Sequence, residues 1–233
     1  MATAAGEPGG GAMRDRFRAQ VRDEVKAAAL RQLAGGGPQA VSVNAIAKEL
    51  GVSGPALYRY FANREDLLGA LVLDAYADLA RALEEAVTAN ARRSPASRLR
   101  ALAHAYRRWA VGQPHRYRLL FAPPIPGAEA HTPAALDAAH ASMLVLLDVL
   151  SDGDDPASPL PAPRPPALAR QLRAWAHRRG TDVDPAIALL GICFWSRLHG
   201  LVGLEIGGST ASMGLDPELL LEHEVTALLS AIG

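Results

Sequence analysis

Apolar residues recur along the chain at intervals of three and four, a spacing that predicts helices almost throughout. Phe17, Val21, Val25, Ala28 or Ala29 and Leu33 mark the inward face of a helix from Arg14 to Leu33, closed by Gly35-Gly36-Gly37-Pro38. Val43, Ile46, Ala47 and Leu50 mark a short helix behind Ser42, whose hydroxyl is placed to cap it. Leu57 and Phe61 mark another behind Ser53. A capping box at Asn63-Arg64-Glu65-Asp66 then opens a long helix to about Ala91, with Leu67, Leu71, Ala75, Leu79, Leu83 and Val87 inward. Further on, Ser94-Pro95, Thr132-Pro133, Asp184-Pro185 and Asp216-Pro217 each place a capping residue before a proline at the first helical position. Gln113-Pro114 is a weaker fifth case. The runs that follow carry Leu99, Leu102, Tyr106 and Trp109 or Ala110; Tyr117, Leu120 and Phe121; His140, Met143, Leu144 and Leu147; and Leu221, Val225, Leu228 and Ile232. Pro185–Ile206 is apolar on almost all faces, so it is expected to lie buried between other helices. No segment alternates as a half-buried strand does, and the predicted class is all-α.

Residues 1–12, rich in Gly and Ala, read as a disordered arm, and Ser151–Pro166 as a mobile surface connection. The 233 residues can bury a sizeable core, and their composition is that of a soluble globular protein. No unbroken apolar run of membrane-spanning length and no apolar signal core is evident, so no membrane partner and a cytoplasmic location are expected. The single cysteine, Cys193 in Gly-Ile-Cys-Phe-Trp, is expected to be buried, and no disulfide can form within the chain. Formal charge is zero but uneven: residues 1–120 hold 18 of 24 Lys and Arg and 11 of 24 Asp and Glu, giving 18 − 11 = +7, against 6 − 13 = −7 beyond. A basic first half suits a phosphate-binding module, and an acidic second half would stay off it.

The chemistry concentrates in Val43–Arg64. Gly51 stands where a helix commonly ends in a left-handed residue, Val52 can plug the corner that follows, and Ser53 can cap the next helix. Two short helices about a tight glycine turn form a helix-turn-helix, which lays its second helix in the major groove of DNA. The small residues Ser53, Gly54, Pro55 and Ala56 let the backbone approach. Tyr58 and Tyr60 can donate hydroxyl hydrogen bonds to phosphate, and Arg59 can pair with phosphate or reach guanine O6 and N7. Arg64, a cation at a helix start, implies something anionic nearby. Arg14, Arg16 and Arg18 could touch the DNA backbone or a minor groove, and a solvated surface explains them equally.

Ile46-Ala47, Gly51-Val52-Ser53, Leu57-Tyr58, Tyr60-Phe61 and Arg64 with Leu67-Leu68 resemble the TetR-type transcription regulators, a match from about Arg14 to Leu71. The family usually carries Lys where Arg64 stands. The resemblance implies that Asn44 and the residues opening the second helix face the bases, while Tyr58 and Arg64 hold phosphates. It further implies a helix-turn-helix domain over 13–64 and a ligand-binding and dimerisation domain over 65–233, with the long helix from Glu65 as the transmitting rod. On the residues alone, the aromatic stripes read as core or as pocket wall; the resemblance favours a small-molecule cavity lined from Tyr106, Trp109, Tyr117, Phe121, His140, Met143, Trp195 and His199. Trp195…His199-Gly200 resembles the Trp…His-Gly signature of one C-terminal subtype. Family dimers pair their last two long helices, and Ser196, Gly200, Gly203 and Gly207 with the final leucine face would suit that contact. Neither metal-ligand spacing, a phosphate loop nor a nucleophile elbow is present, so no cofactor, metal or enzymatic activity is expected. The expected function is a homodimeric repressor released from a palindromic operator by a small-molecule effector, the alternatives being a helical small-molecule-binding protein or an architectural DNA binder without operator specificity.

Overall fold

The computed structural model describes residues 9–121, 132–153, 160 and 162–230. The first eight residues of the predicted arm, most of the proline-rich connection and Ile232 lie outside them. Every regular element among the described residues is helical: α1 (Gly9–Gly36), a 3-10 turn (Pro38–Ala40), α2 (Val43–Glu49), α3 (Gly54–Leu57), α4 (Arg64–Ala89), α5 (Pro95–Gly112), α6 (Pro114–Phe121), α7 (Pro133–Ser151), α8 (Pro166–Arg178), α9 (Pro185–Ile206), α10 (Ser209–Ser212) and α11 (Pro217–Ser230). The chain divides into two compact units, the first holding the described residues up to Val72 together with Phe121 and the second beginning at Leu73, so the border in α4 falls inside the helix rather than at its start.

In the first unit, the head, Val25, Ala28, Ala29 and Leu33 of α1 are buried with Ile46, Leu57, Phe61, Leu67, Leu68 and Leu71. Burying each such Leu, Ile or Phe contributes roughly 1.5–3 kcal/mol. α1 starts at Gly9, before the predicted Arg14, and its first turns overhang this core. Phe17, expected inward, is 62% exposed, because the residues that could cover it end with the turn at Val21. The capping box at Asn63 forms: Asn63 Oδ1 accepts the Asp66 N–H at 2.7 Å, and Asp66 Oδ2 accepts the Ala62 N–H at 2.9 Å. The return bond reaches one residue further back than in the standard box.

In the second unit, the body, the four cap-proline signatures are realised. Ser94 accepts from Ser97 N–H at 3.3 Å, Thr132 from Ala135 N–H at 3.2 Å, Asp184 from Ala186 N–H at 2.7 Å and Asp216 from Glu218 N–H at 2.8 Å. α9 packs against α5, α7, α8, α10 and α11. Its core face is Ile187, Ala188, Phe194, Leu198 and Val202. A Cβ on Gly191 would lie 2.7 Å from Leu147 Cδ2, so this glycine admits the close approach of α7. α9 is not buried all round, however. Ile192, Cys193, Ser196, Arg197, Gly200 and Leu204 are exposed along one side, and Cys193 is therefore a surface thiol, since helical spacing turns it away from Phe194 and Leu198. Leu221, Val225 and Leu228 of α11 are buried within the same chain rather than left for a partner. α7 and α9 are long and apolar enough by composition to cross a bilayer, and both pack against each other and against α5 in the body. α8, which periodicity did not single out, buries Leu172 and Ala176.

Candidate nucleic-acid interface

The corner of the motif is set by backbone chemistry. α2 is capped by Ser42 Oγ, which accepts the Ala45 N–H at 3.3 Å. It ends in a Schellman arrangement, with Gly51 at φ 67°. There Val52 N–H donates to Ala47 O at 3.0 Å and Gly51 N–H to Lys48 O at 3.3 Å. Because these bonds fix the turn, Val52 need not plug it, and the side chain is 41% exposed instead. Two ties hold α2 to α1: the Arg31–Glu49 ion pair at 2.6 Å, and Ser42 N–H donating to Gln32 Oε1 at 2.8 Å.

α3 is shorter than its apolar spacing predicts. It holds four residues, and Ser53 at its N-cap makes no side-chain capping bond, leaving the hydroxyl uncommitted to the helix. The chain continues as tighter turns, with Arg59 N–H bonded to Ala56 O at 3.3 Å and Tyr60 N–H to Leu57 O at 2.9 Å. A helix this short contributes little dipole field, so attraction for phosphate must come from side chains and individual N–H groups. Leu57 and Phe61 anchor the segment at 1% and 0% exposure. Asn44, Ser53, Pro55, Tyr58 and Arg59 are exposed, and Gly54, Ala56 and Tyr60 are half-buried. A Cβ on Gly54 would meet Asn44 Oδ1 at 3.7 Å, so Asn44 and the opening of α3 share one small surface. Arg59 makes no salt bridge among the described residues and can swing toward phosphate or base edge.

Arg64 is engaged within the head. Its Nε–H donates to Val41 O at 3.0 Å and Nη2–H to Pro38 O at 2.5 Å, with Glu65 Oε1 3.5 Å from Nη1. The guanidinium thus closes the 3-10 turn onto the start of α4, because the carbonyls left by that turn need a donor that reaches across the chain. Arg22, which the periodicity did not single out, makes the matching contact at the other end: Nη1–H donates to Tyr60 O at 2.6 Å and the guanidinium lies 4.3 Å over the Phe61 ring. The available signal was its position one turn before Val25 on the inward stripe.

In the body the predicted pocket residues fall in several places. Tyr106 Oη lies 3.1 Å from His199 Nδ1, and Tyr117 Oη lies 3.3 Å both from that nitrogen and from the His199 carbonyl. Trp195 stands against Tyr106 with ring centroids 4.9 Å apart. Burial pushes His199 below the usual imidazole range, which keeps it neutral near pH 7. Trp109 belongs instead to a hub on α4: Asp78 Oδ2 accepts Trp109 Nε1–H at 3.0 Å, Gln113 Nε2–H at 3.0 Å and Arg116 Nη1–H at 2.8 Å, and Arg81 closes on the other oxygen. Burial alone would raise the Asp78 carboxyl; the bonds from Gln113 and Trp109 and the charges of Arg116 and Arg81 outweigh it and hold the group below its ordinary value. His140, 9% exposed, meets the edge of Trp175 at 5.5 Å, and its Nε2 has no hydrogen-bond partner among the described residues. Met143 is half-buried in the body; Phe121, also half-buried, groups with the first unit. Among the described residues no three His, Cys, Asp or Glu converge as a metal site.

Comparison with known proteins agrees with this layout. A model described as bacterial regulatory proteins, tetR family, matches residues 26–71, and one described as the tetracyclin repressor-like C-terminal domain matches residues 99–228, a span that includes Trp195–Gly200. The HTH-type transcriptional regulator Rv1816 of Mycobacterium tuberculosis is 29% identical over 223 residues, covering 93% of this chain and 94% of its own. The crystal structure of the regulatory protein SCO4313 superposes with a TM-score of 0.77 at 38% identity, covering 93% of this chain and 98% of that one. FadR from Bacillus subtilis, solved with stearoyl-CoA, shares the fold at a TM-score of 0.62 and 15% identity, covering 90% of this chain and 98% of that one. The chain belongs to the TetR family of DNA-binding transcriptional regulators, with an all-α fold and an N-terminal helix-turn-helix.

Proposed function

We propose that the protein is a homodimeric repressor that holds a near-palindromic operator and releases it when a small molecule enters the body. The observation that carries this reading is the exposed set Asn44, Ser53, Pro55 and Arg59, displayed on a turn whose backbone bonds leave it little freedom. Within it, Asn44 and the residues opening α3 face the bases, Tyr58 positions the backbone, and Arg59 reads a guanine or pairs with phosphate. Arg64 acts by fixing the start of α4. The second copy is accommodated on the exposed side of α9, around Ile192, Ser196, Gly200 and Leu204, since Leu221, Val225 and Leu228 of α11 are already buried within the chain. Two-fold pairing would space the recognition segments about 34–36 Å apart, or by a longer helical repeat, to match the operator. A cytoplasmic location follows from the DNA partner.

The effector site is assigned to the body, where Tyr106, Tyr117 and His199 bring polar atoms into apolar surroundings. FadR from Bacillus subtilis, which shares the fold, was solved in complex with stearoyl-CoA. α4 runs without a break from the head into the body, so a shift of its second half changes the pose of its first. Release is then a population shift that requires the effector to bind the free protein more tightly than the DNA complex. Selection of duplexes by the whole protein from a random pool tests the first step; an architectural binder recovers no preferred sequence. Titration of candidate effectors into free and DNA-bound protein tests the second, and equal affinities refute release.

A further inference from the structure

Every residue from 12 to 20 of α1 is exposed, so the helix overhangs the head by about 14 Å at ~1.5 Å per residue. The overhang carries one carboxylate, Asp15, against Arg14, Arg16 and Arg18, and none of these three arginines makes a salt bridge among the described residues. At about 100° per residue, Arg18 and Arg14 stand about 40° and 80° round from Arg22, in the sector of Val25, Ala28 and Ala29 that faces the head's core, while Arg16 stands about 120° the other way. The inward stripe of α1 therefore changes from apolar residues to arginine where the head ends. Arg22 shows which end that is: it bonds the Tyr60 carbonyl at 2.6 Å, whereas Arg31 at the far end of the helix pairs with Glu49 of α2. The overhang leaves the head beside Tyr60, immediately after the exposed Tyr58 and Arg59.

Resting on the DNA-binding reading above, we infer that Arg14 and Arg18 form a backbone clamp, contacting duplex phosphates that flank the groove entered by the recognition segment. Their charge and exposure suit phosphate, and their shared edge, continuous with the recognition segment through Arg22, gives a direction that Arg16 lacks. The clamp adds affinity and salt dependence without reading sequence.

The test uses the full chain and a duplex recovered by wild-type selection from a random pool. If the wild type retains no duplex, the DNA-binding reading itself fails. Given binding, R14A/R18A is expected to lower the slope of log affinity against log salt by about 2 per head, at about 0.9 for each phosphate no longer neutralised. Between about 50 and 200 mM salt the wild type then weakens about 12-fold more per head than the double variant. R16A, which removes the same charge from the other edge, is expected to keep the wild-type slope. Hydroxyl-radical footprinting should lose protection at flanking phosphates in R14A/R18A while the selected sequence stays the same. The inference is overturned if R14A/R18A keeps the wild-type slope and footprint, or if R16A lowers the slope as much as R18A. Because the overhang is exposed, the unfolding midpoint should not move, which separates weaker phosphate binding from unfolding.

Discussion

Replacing Arg64 distinguishes a phosphate ligand from a brace inside the head. The guanidinium donates to two carbonyls, Val41 O and Pro38 O, and the side chain is 25% exposed, so roughly three quarters of it is shielded. A hydrogen bond from a charged donor is worth about 1.5–3 kcal/mol net, and two such bonds, reduced because water can reach part of the site, put R64A at about 3 kcal/mol. R64K keeps the charge but cannot span both carbonyls with one ammonium, so it should cost about 1–2 kcal/mol. All three tryptophans, Trp109, Trp175 and Trp195, lie in the body, so their fluorescence is blind to the head. Hydrogen exchange of the α2 and early α4 amides is the suitable assay; about 3 kcal/mol lowers protection roughly 100-fold if those amides open with the head. The salt slope of DNA binding, measured on R64K, should equal that of the wild type. Unchanged protection in R64A, together with a slope lower by about 0.9 per head in that variant, would refute the brace and restore the phosphate contact.

Removing the Asp78 carboxylate by D78A strands the Trp109 indole N–H and the Arg116 guanidinium, and should cost about 3 kcal/mol by urea denaturation at fixed protein concentration. Since the folded carboxyl titrates below its unfolded value of about 3.9, this contribution is complete above that pH and is lost as pH falls below it, so the gap between wild type and D78A should close toward pH 3 and stay constant from pH 5 to 7. G51A forces a Cβ into φ 67° and should cost about 1 kcal/mol in head stability, with a matching loss of DNA affinity at the temperature where the head begins to open; no change in exchange of the α2 amides would count against the Schellman turn. G191A meets only the movable end of Leu147 and should cost about 1–2 kcal/mol, whereas G191L has no space and should cost more than about 3 kcal/mol; equal midpoints for the two would deny the close α7–α9 approach.

What could be read from sequence was chemistry between near neighbours. Ser94, Thr132, Asp184 and Asp216 each bond a backbone N–H two or three residues on, so the pairing with the following proline is enough to place a helix start. Gly51 and the inward residues Leu57 and Phe61 were legible for the same reason. α8 begins at Pro166 behind Pro165, without a capping side chain, and its buried Leu172 and Ala176 are too few to declare a period. The bonds Arg64 makes within the head were not legible because its acceptors lie 23 and 26 residues away, a distance over which spacing carries no information. Phe17 and Cys193 were misplaced in a related way. Periodicity says which residues share a face; it does not say where a neighbouring element stops covering that face, and among the described residues α1 outruns its neighbours while one side of α9 is left exposed.

The charge split has a more local meaning than the halves of the sequence imply. Arginines 98, 100, 107 and 116, all counted in the basic first 120 residues, belong to the body, where they pair with Asp152, Glu222, Glu205 and Asp78. Three of those carboxylates, Asp152, Glu205 and Glu222, supply acidity to the second half, so much of the apparent dipole between halves is cancelled by contacts of α5 with the end of α7, with α9 and with α11. Such pairs, partly shielded from water, hold helices in register and leave little field outside. In the head the outcome is different. Arg31 and Arg64 are engaged, while Arg14, Arg18, Lys48 and Arg59 stay exposed and make no salt bridge among the described residues. A field that attracts phosphate is generated by these uncompensated groups, so salt dependence should respond to Arg14, Arg18 and Arg59 and be nearly indifferent to Arg100 or Arg107, although all five carry the same formal charge.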